Sequence, residues 1–267
     1  MPHFLQSNPA GVGFSTSTNP NPSTVTMQDA AGDINTFLRI FFFTMFPHFS
    51  ANPLHFVGES FGGHWVPHFV SYISQRQKLN VPDTFPGTVE SITLLNAVIS
   101  LTTSGDGASY DHFCAPESRV RFNQTACQAM EETAPECDYL SRQCTDTYDV
   151  NICNAAFTYC AGVHARWYND YGPNQPDPYD DRFVCDVEAF ACGNFDMGFV
   201  EWLNRAEVKK GLGVDEGVEY KVFNATVNRA WGSKGVMAVP TTREVRYLLD
   251  ETPTSVLVVN GNNDIIV

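Results

Sequence analysis

Ser60 lies in Gly58-Glu59-Ser60-Phe61-Gly62-Gly63-His64-Trp65-Val66-Pro67, a segment whose residue types and spacing suit nucleophilic chemistry. Gly-x-Ser-x-Gly follows the apolar run Leu54-His55-Phe56-Val57 and precedes a helix-compatible stretch from Trp65 to Ile73. Strand, sharp turn and helix together lift a serine hydroxyl to where a substrate can reach it. The flanking glycines are expected to let the backbone take unusual φ values there. Five loosely defined positions also recur by chance, so Ser60 as an ordinary turn serine is the competing reading.

A hydroxyl is a weak nucleophile and needs a base, usually His, that a carboxylate orients. The candidate carboxylate is Asp264, in Asn260-Gly261-Asn262-Asn263-Asp264 directly after the β-branched run Ser255 to Val259. Strand then acid loop, downstream of the nucleophile, follows the Ser…Asp…His order of α/β-hydrolases. A turn Asp in an Asn-Gly-rich loop is the alternative. The seven histidines are His3, His48, His55, His64, His68, His112 and His164, and none follows Asp264. His55 lies in the strand leading to Ser60. His64 and His68, four apart, share one face of the following helix and suit packing better than catalysis. No catalytic base is assigned. The backbone N–H of Phe61 is the expected oxyanion donor, as the residue after the nucleophile.

Positioning these residues requires an α/β core. Apolar residues at Ala30, Ile34, Phe37, Leu38, Phe41, Phe42 and Met45 predict an amphipathic helix from Asp29 to Met45, ended by Pro47. Leu54 to Val57 reads as a short buried strand, Val66 to Leu79 as a helix, and Val89 to Leu101 as the next parallel strand. Residues 1–101 therefore form the first part of a core. Residues 102–194, polar and rich in Asp, Asn, Gly and Pro, read as an inserted cap over the site. Residues 195–267 return to the core with a helix at Val200 to Gly211, started near Asn194 or Asp196, and the Ser255–Val259 strand.

All eight cysteines fall between Cys114 and Cys192. They include no Cys-x-x-Cys pair and no zinc-ribbon spacing, so no metal is expected and a disulfide-stapled insertion is. Eight cysteines allow roughly a hundred pairings. Asn123-Gln124-Thr125 and Asn224-Ala225-Thr226 are N-glycosylation acceptors that, with the disulfides, suggest an oxidising, secretory route. A formal charge of −14 argues against nucleic acid or anionic membranes as partners. No apolar run of about 18 residues is present for a membrane span. The Met1-Pro2-His3 start lacks the features of a signal peptide. Nothing in the sequence calls for a cofactor or fixes an oligomeric state.

The string Gly58 to Pro67 closely resembles the active-site segment of the serine carboxypeptidases, with Phe61 where that family usually has Tyr. Pro9-Ala10-Gly11-Val12-Gly13-Phe14-Ser15 resembles the family's segment ahead of the elbow, and Asn260 to Asp264 its acid-bearing loop. The resemblance implies an α/β-hydrolase fold: a partial parallel-type sheet with helices on both faces and a disulfide-rich cap. It implies pairs Cys114–Cys127 and Cys137–Cys160, with Cys144–Cys153 nested inside the second, and a local Cys185–Cys192 loop. It also implies an acid-acting peptidase in which Ser60 attacks peptides at the C-terminal bond and Glu59 binds the substrate's terminal carboxylate. Two carboxylates share a hydrogen bond only when one is protonated, so such binding favours acidic pH. Glu59 bonding the elbow backbone is the plainer alternative. Gly58, Phe61, Ile266 and Val267 are candidates to line the substrate pocket, and a secreted or vacuolar location follows from the family.

The family's glycine-rich oxyanion loop has no counterpart here, and its base lies downstream of the acid. The expectation is an incomplete, weakly active chain that folds poorly. An acyltransferase or esterase using the same acyl-enzyme, or a non-catalytic relative, are the alternatives.

Overall fold

The computed structural model describes residues 7–17, 24–102, 112–118, 122–169, 176–185 and 198–264; the side chains of 161–169 are outside that description. The first helix, α1 (Met27–Ile40), starts where a side chain takes over unpaired backbone donors. Thr26 Oγ1 accepts from Asp29 N at 3.1 Å, and Asp29 Oδ2 accepts from Thr26 N at 3.1 Å. This reciprocal pair is a capping box. Its hydrogen bonds hold the Asp29 carboxyl below its usual range, that from Thr26 most of all. Five further residues, Phe41–Met45, continue the helix with a wider π turn before Pro47.

Strand β1 (Leu54–Ser60) leads directly into helix α2 (Gly62–Lys78). Strand β2 (Val89–Ala97) pairs with β1 in parallel, and β5 (Ser255–Val259) pairs in parallel with β2, giving the order β1-β2-β5. The strand expected to reach Leu101 stops at Ala97, where Asn96 takes a left-handed φ of 40°.

One face of this sheet carries Phe56, Ile92, Leu94 and Val256. It packs under Val66 and Val70 of α2 and Leu248 of a C-terminal helix. Behind it, Ile34 and Leu38 of α1 meet Phe69 and Ile73 of α2 and the fully buried Phe85. Burying each such side chain stabilises the fold by about 1.5–3 kcal/mol. Asn35 fastens the loop that carries Phe85: its Nδ2 donates to Asp83 O at 2.9 Å and its Oδ1 accepts from Phe85 N at 2.8 Å. On the opposite face Val57, Leu257 and Val259 are exposed among the described residues.

The cysteine-rich insertion is helical, which its polar composition hid. Helix α3 (Gln124–Thr147) runs into Tyr148 at φ 52°, and α4 (Val150–Asn169) returns antiparallel in sequence order beside it. Disulfides join Cys137 to Cys160 and Cys144 to Cys153, and Cys114 to Cys127 just ahead. Cys185 is buried and disulfide-bonded; Cys192 lies outside the described residues. Cys144, Cys153 and Ala156 pack on Ala238. A small antiparallel hairpin follows, β3 (Pro176–Asp177) and β4 (Asp180–Val184).

The helix expected over Val200 to Gly211 is instead two, α5 (Gly198–Leu203) and α6 (Ala206–Leu212). The expected start, near Asn194 or Asp196, lies outside the described residues. Arg205 takes an extended ψ of 140° and breaks the run, while Asn204 Nδ2 and Oδ1 bond Tyr220 O and N at 3.1 and 2.8 Å. An Asn that captures remote backbone in this way competes with helix propagation. Helices α7 (Ala225–Gly232) and α8 (Thr242–Glu251) then precede β5.

Candidate active site

Ser60 is the last residue of β1 and has φ 55°. Left-handed φ is costly for a residue with a Cβ, and it persists where the surroundings over-determine it. The unusual φ therefore falls on the serine itself. Neither Gly58 nor Gly62 has a positive φ, which corrects the expectation placed on those glycines. What the turn demands of glycine is space. A Cβ on Gly58 would lie 2.8 Å from Gly62 O, and one on Gly63 would lie 2.5 Å from Val98 O; at Gly62 there is open room.

Two buried contacts hold the turn against the end of β2. Val98 N donates to Ser60 O at 2.8 Å, and His64 Nδ1 lies 2.5 Å from Val98 O. Two acceptors do not approach that closely, so the imidazole proton sits on Nδ1. Thr241 forms the second contact. Pro67 has no N–H, so the Gly63 carbonyl four residues back loses its helical donor; Thr241 Oγ1, fully buried, donates to it at 2.8 Å. Thr241 N also donates to Ile99 O at 2.8 Å, tying the start of α8 to the same strand exit.

Ser60 and Glu59 are both exposed at the carboxyl edge of the sheet, where open α/β sheets place their ligands. Glu59 is opposite Leu95 in the β1–β2 register, on the strand face away from Gly58. Phe61 caps α2; its ring stacks on His64 with centroids 4.6 Å apart and meets Trp65 edge-on at 5.8 Å.

Asp264 follows β5 at the same edge. Asn96 Nδ2 donates to its Oδ2 at 2.6 Å, and Asn96 Oδ1 accepts from Gly261 N at 3.3 Å. One asparagine thus fixes both ends of the acid loop. The β3–β4 hairpin also reaches this loop, with Asp181 N donating to Asn263 O at 2.9 Å. Nearby Tyr179 has its hydroxyl pKa raised, first by burial and then by the charges of Asp264 and Asp177. With β2 between them, the strands that lead to Ser60 and to Asp264 lie two spacings apart, roughly 10 Å across the sheet.

No histidine among the described residues hydrogen-bonds the Ser60 hydroxyl. His55 Nδ1 meets Ser91 Oγ at 2.8 Å, His68 faces Glu244 at 3.7 Å, His112 faces Asp181 at 3.3 Å, and His48 lies against Phe49 with the rings tilted by 47°. His64 is fully buried; desolvation, outweighing its Val98 contact, pushes its pKa down to about 4. His3, the side chain of His164, and Ile266 and Val267 lie outside the described residues. No cluster of His, Cys, Asp or Glu among the described residues could hold a metal ion. No described helix is long and apolar enough to cross a membrane.

Both glycosylation acceptors are helix N-caps. Asn123 Oδ1 accepts from Ala126 N at 2.9 Å to start α3. Asn224 Oδ1 accepts from Thr226 and Val227 N to start α7, while its Nδ2 donates to Gly11 O at 2.9 Å. Asn96, Thr241 and the role of His64 were not singled out by sequence reasoning. Asn96 carried a signal, a polar residue after the apolar pair Leu94-Leu95 and of a type that tolerates left-handed φ, and Pro67 carried a partial one for the donor that Thr241 supplies.

A family model described as serine carboxypeptidase matches residues 4–267. The chain belongs to the serine carboxypeptidase family. It is 30% identical over 264 residues to a carboxypeptidase Y homolog A of Botryotinia fuckeliana, covering 97% of this chain and 44% of that relative. It is also 30% identical over 265 residues to the Aspergillus clavatus homolog, covering 97% and 45%. The chain thus spans less than half the length of these curated relatives. Among solved structures, a prohormone-processing carboxypeptidase from Saccharomyces cerevisiae superimposes with a TM-score of 0.73 at 17% identity, over 97% of this chain and 56% of that one. The fold is that of an α/β-hydrolase, with a parallel sheet, flanking helices and disulfides. In that fold, β1 and α2 flank the turn that carries Ser60.

Proposed function

We propose that this chain carries the nucleophile and acid of a serine-type carboxypeptidase that releases C-terminal residues from peptides. The single observation that carries the reading is Ser60 held at φ 55° and exposed between β1 and α2. Ser60 Oγ adds to the scissile carbonyl while its proton passes to a base. The oxyanion takes the Phe61 N–H, and collapse breaks the C–N bond as the departing amine collects the proton. Water then hydrolyses the ester and restores Ser60. Asp264, oriented by Asn96, holds the base in its productive tautomer.

Glu59, exposed beside the nucleophile, shares a proton with the substrate's terminal carboxylate, and peptidase action is therefore strongest in acid. The disulfide-stapled residues 102–194 form a cap over the site, and the disulfides suit an oxidising secretory or vacuolar compartment. Glycans on Asn123 and Asn224 belong to the same reading.

The test is turnover of a blocked dipeptide and of the matching ester at pH 5 and pH 8, with mass-spectrometric mapping of the site labelled by a phosphonofluoridate. Label on Ser60 with dipeptide cleavage favoured at pH 5 supports the proposal. Ester turnover alone, or labelling elsewhere, overturns it.

A further inference from the structure

His64 is a buried, titratable side chain that the reaction above does not use. Its surroundings are specific. The ring lies flat on Phe61 at an interplanar angle of 11°, and Nδ1–H reaches the Val98 carbonyl. Val98 in turn holds the Ser60 carbonyl through its own N–H. The imidazole therefore meets Phe61 directly through its ring, and it is linked to Ser60 through one intervening residue, Val98, whose C=O it bonds and whose N–H bonds Ser60 O. Gly63, against the backbone of Val98, lets the helix come close enough for this bond.

We propose that His64 is a positioning residue for Ser60 chemistry: its Nδ1–H clamps Val98, and with Phe61 stacked on the ring the clamp sets where the Ser60 hydroxyl and the Phe61 N–H point. This rests on the reading of Ser60 as the nucleophile. The ring works in its neutral form, because burial pushes its pKa down to about 4 against the favourable carbonyls of Val98, Val239 and Met237. A side chain that only filled space at this position would need the aromatic face and no donor. Small displacements matter here, since a shift of about 1 Å at a reacting atom costs roughly a hundredfold in rate.

The amide of Asn overlays Nδ1 of histidine, whereas the amide of Gln overlays Nε2; Phe keeps the stack without a donor. The experiment compares the full chain with His64→Asn, His64→Gln and His64→Phe. Three quantities are read: amide hydrogen exchange at Val98, the rate of Ser60 phosphonylation by a phosphonofluoridate (an O–P bond forms as P–F breaks and the hydroxyl proton leaves), and kcat and KM on a blocked dipeptide. His64→Asn is expected within about threefold of the parent on all of them. His64→Gln and His64→Phe are expected to speed Val98 exchange at least about tenfold and to slow phosphonylation and kcat by roughly 10- to 100-fold, with KM within about twofold.

Equal behaviour of Asn, Gln and Phe, or losses confined to KM with Val98 exchange unchanged, overturns the proposal. If Gln and Phe do not fold, the Asn chain still decides: folded, yet reacting about a hundredfold slower, it overturns the clamp. A parent chain that never labels at Ser60, while Val98 exchange still separates Asn from Gln, overturns the nucleophile reading and supports the clamp; the reverse pattern overturns the clamp alone.

Discussion

The elbow around Ser60 and the loop around Asp264 occupy the same edge of one sheet but are held by opposite means. The elbow is built into the interior. Gly63, His64 and Thr241 are buried beneath it, Val66 and Val70 anchor its helix, and its strain at Ser60 is borne by backbone-to-backbone contact with Val98. The acid loop follows β5, in which every residue but Val256 is exposed, and it is steadied by the Asn96 side chain and by a backbone bond to the β3–β4 hairpin. The lesson is that a serine turn strained at φ 55° needs a rigid interior, whereas a carboxylate proposed only to orient a base can be placed by a few polar contacts. Elbow substitutions should then be paid in global stability, and acid-loop substitutions in activity.

The largest stability effect is expected at Gly63. A methyl there would lie 2.5 Å from Val98 O and 2.7 Å from Val98 C, both backbone atoms that cannot swing away. Gly63→Ala should cost at least about 3 kcal/mol, as overpacking of a closed interior does. Gly62→Ala, in open space on a helix, should be neutral or stabilising by up to about 1 kcal/mol. Urea titration of both variants checks the pair, and a well-tolerated Gly63→Ala would remove the claim that the elbow is sterically locked.

Next comes the acid response of His64. The unfolded residue binds its proton near pH 6.5 and the folded one near 4, so between those values the unfolded chain holds more protons. Stability therefore falls as pH drops from 6.5 towards 4, by about 3 kcal/mol in all from this group. The groups around the ring act on this window. His68, itself shifted down by burial, opposes the charge, Glu244 and Arg243 lie beyond His68 on α8, and the carbonyls of Val98, Met237 and Val239 favour it. His64→Asn should flatten that part of the stability–pH profile. An unchanged slope in this variant would assign the acid sensitivity elsewhere. A chain proposed to act in acid thus carries, under its proposed nucleophile, a group through which acid destabilises the fold.

The two regions also differed in how far the sequence disclosed them. The elbow announced itself, because its constraints are local: Gly58, Ser60 and Gly63 fall within six residues of the chain, and strand and helix patterns flank them. The clamp did not, because Val98 and Thr241 reach the turn from distant positions, and no periodicity encodes that meeting. Pro67 was a partial clue. A proline within a helix implies an orphaned carbonyl, and so some remote donor, but not which one. In the cysteine-rich segment, polar composition concealed two long helices whose buried side is built largely from cysteine and alanine, residues a hydrophobic stripe does not reveal. Asn204 broke an expected helix by bonding backbone sixteen residues away.

Thr241 offers the intermediate test. Thr241→Val preserves shape and β-branching but leaves the Gly63 carbonyl, already without its helical donor, buried and unpaired. The loss should be about 1–3 kcal/mol. It should be recovered in part by Pro67→Ala, whose new N–H can satisfy the same carbonyl. A double-mutant cycle measures this, with strong coupling expected between residues that share one acceptor. Additive effects would mean that Thr241 acts only through Ile99 and not through the elbow.

The smallest stability effect belongs to the acid loop. Asn96 and Asp264 are only partly buried, so losing their 2.6 Å bond in Asn96→Ala lets water replace it, at a cost of about 1 kcal/mol. Activity should respond more. With Asn96 gone, the carboxylate loses a 2.6 Å contact that orients it and Gly261 loses its acceptor, so the proposed base is held less well and kcat should fall roughly 10- to 100-fold. The inversion is what separates the two regions: Thr241→Val should lower the unfolding midpoint more than Asn96→Ala, and Asn96→Ala should lower kcat more than Thr241→Val. If both variants lose stability and activity in the same proportion, the elbow and the acid loop are one cooperative unit, and the division between a rigid interior turn and a lightly tethered carboxylate does not hold.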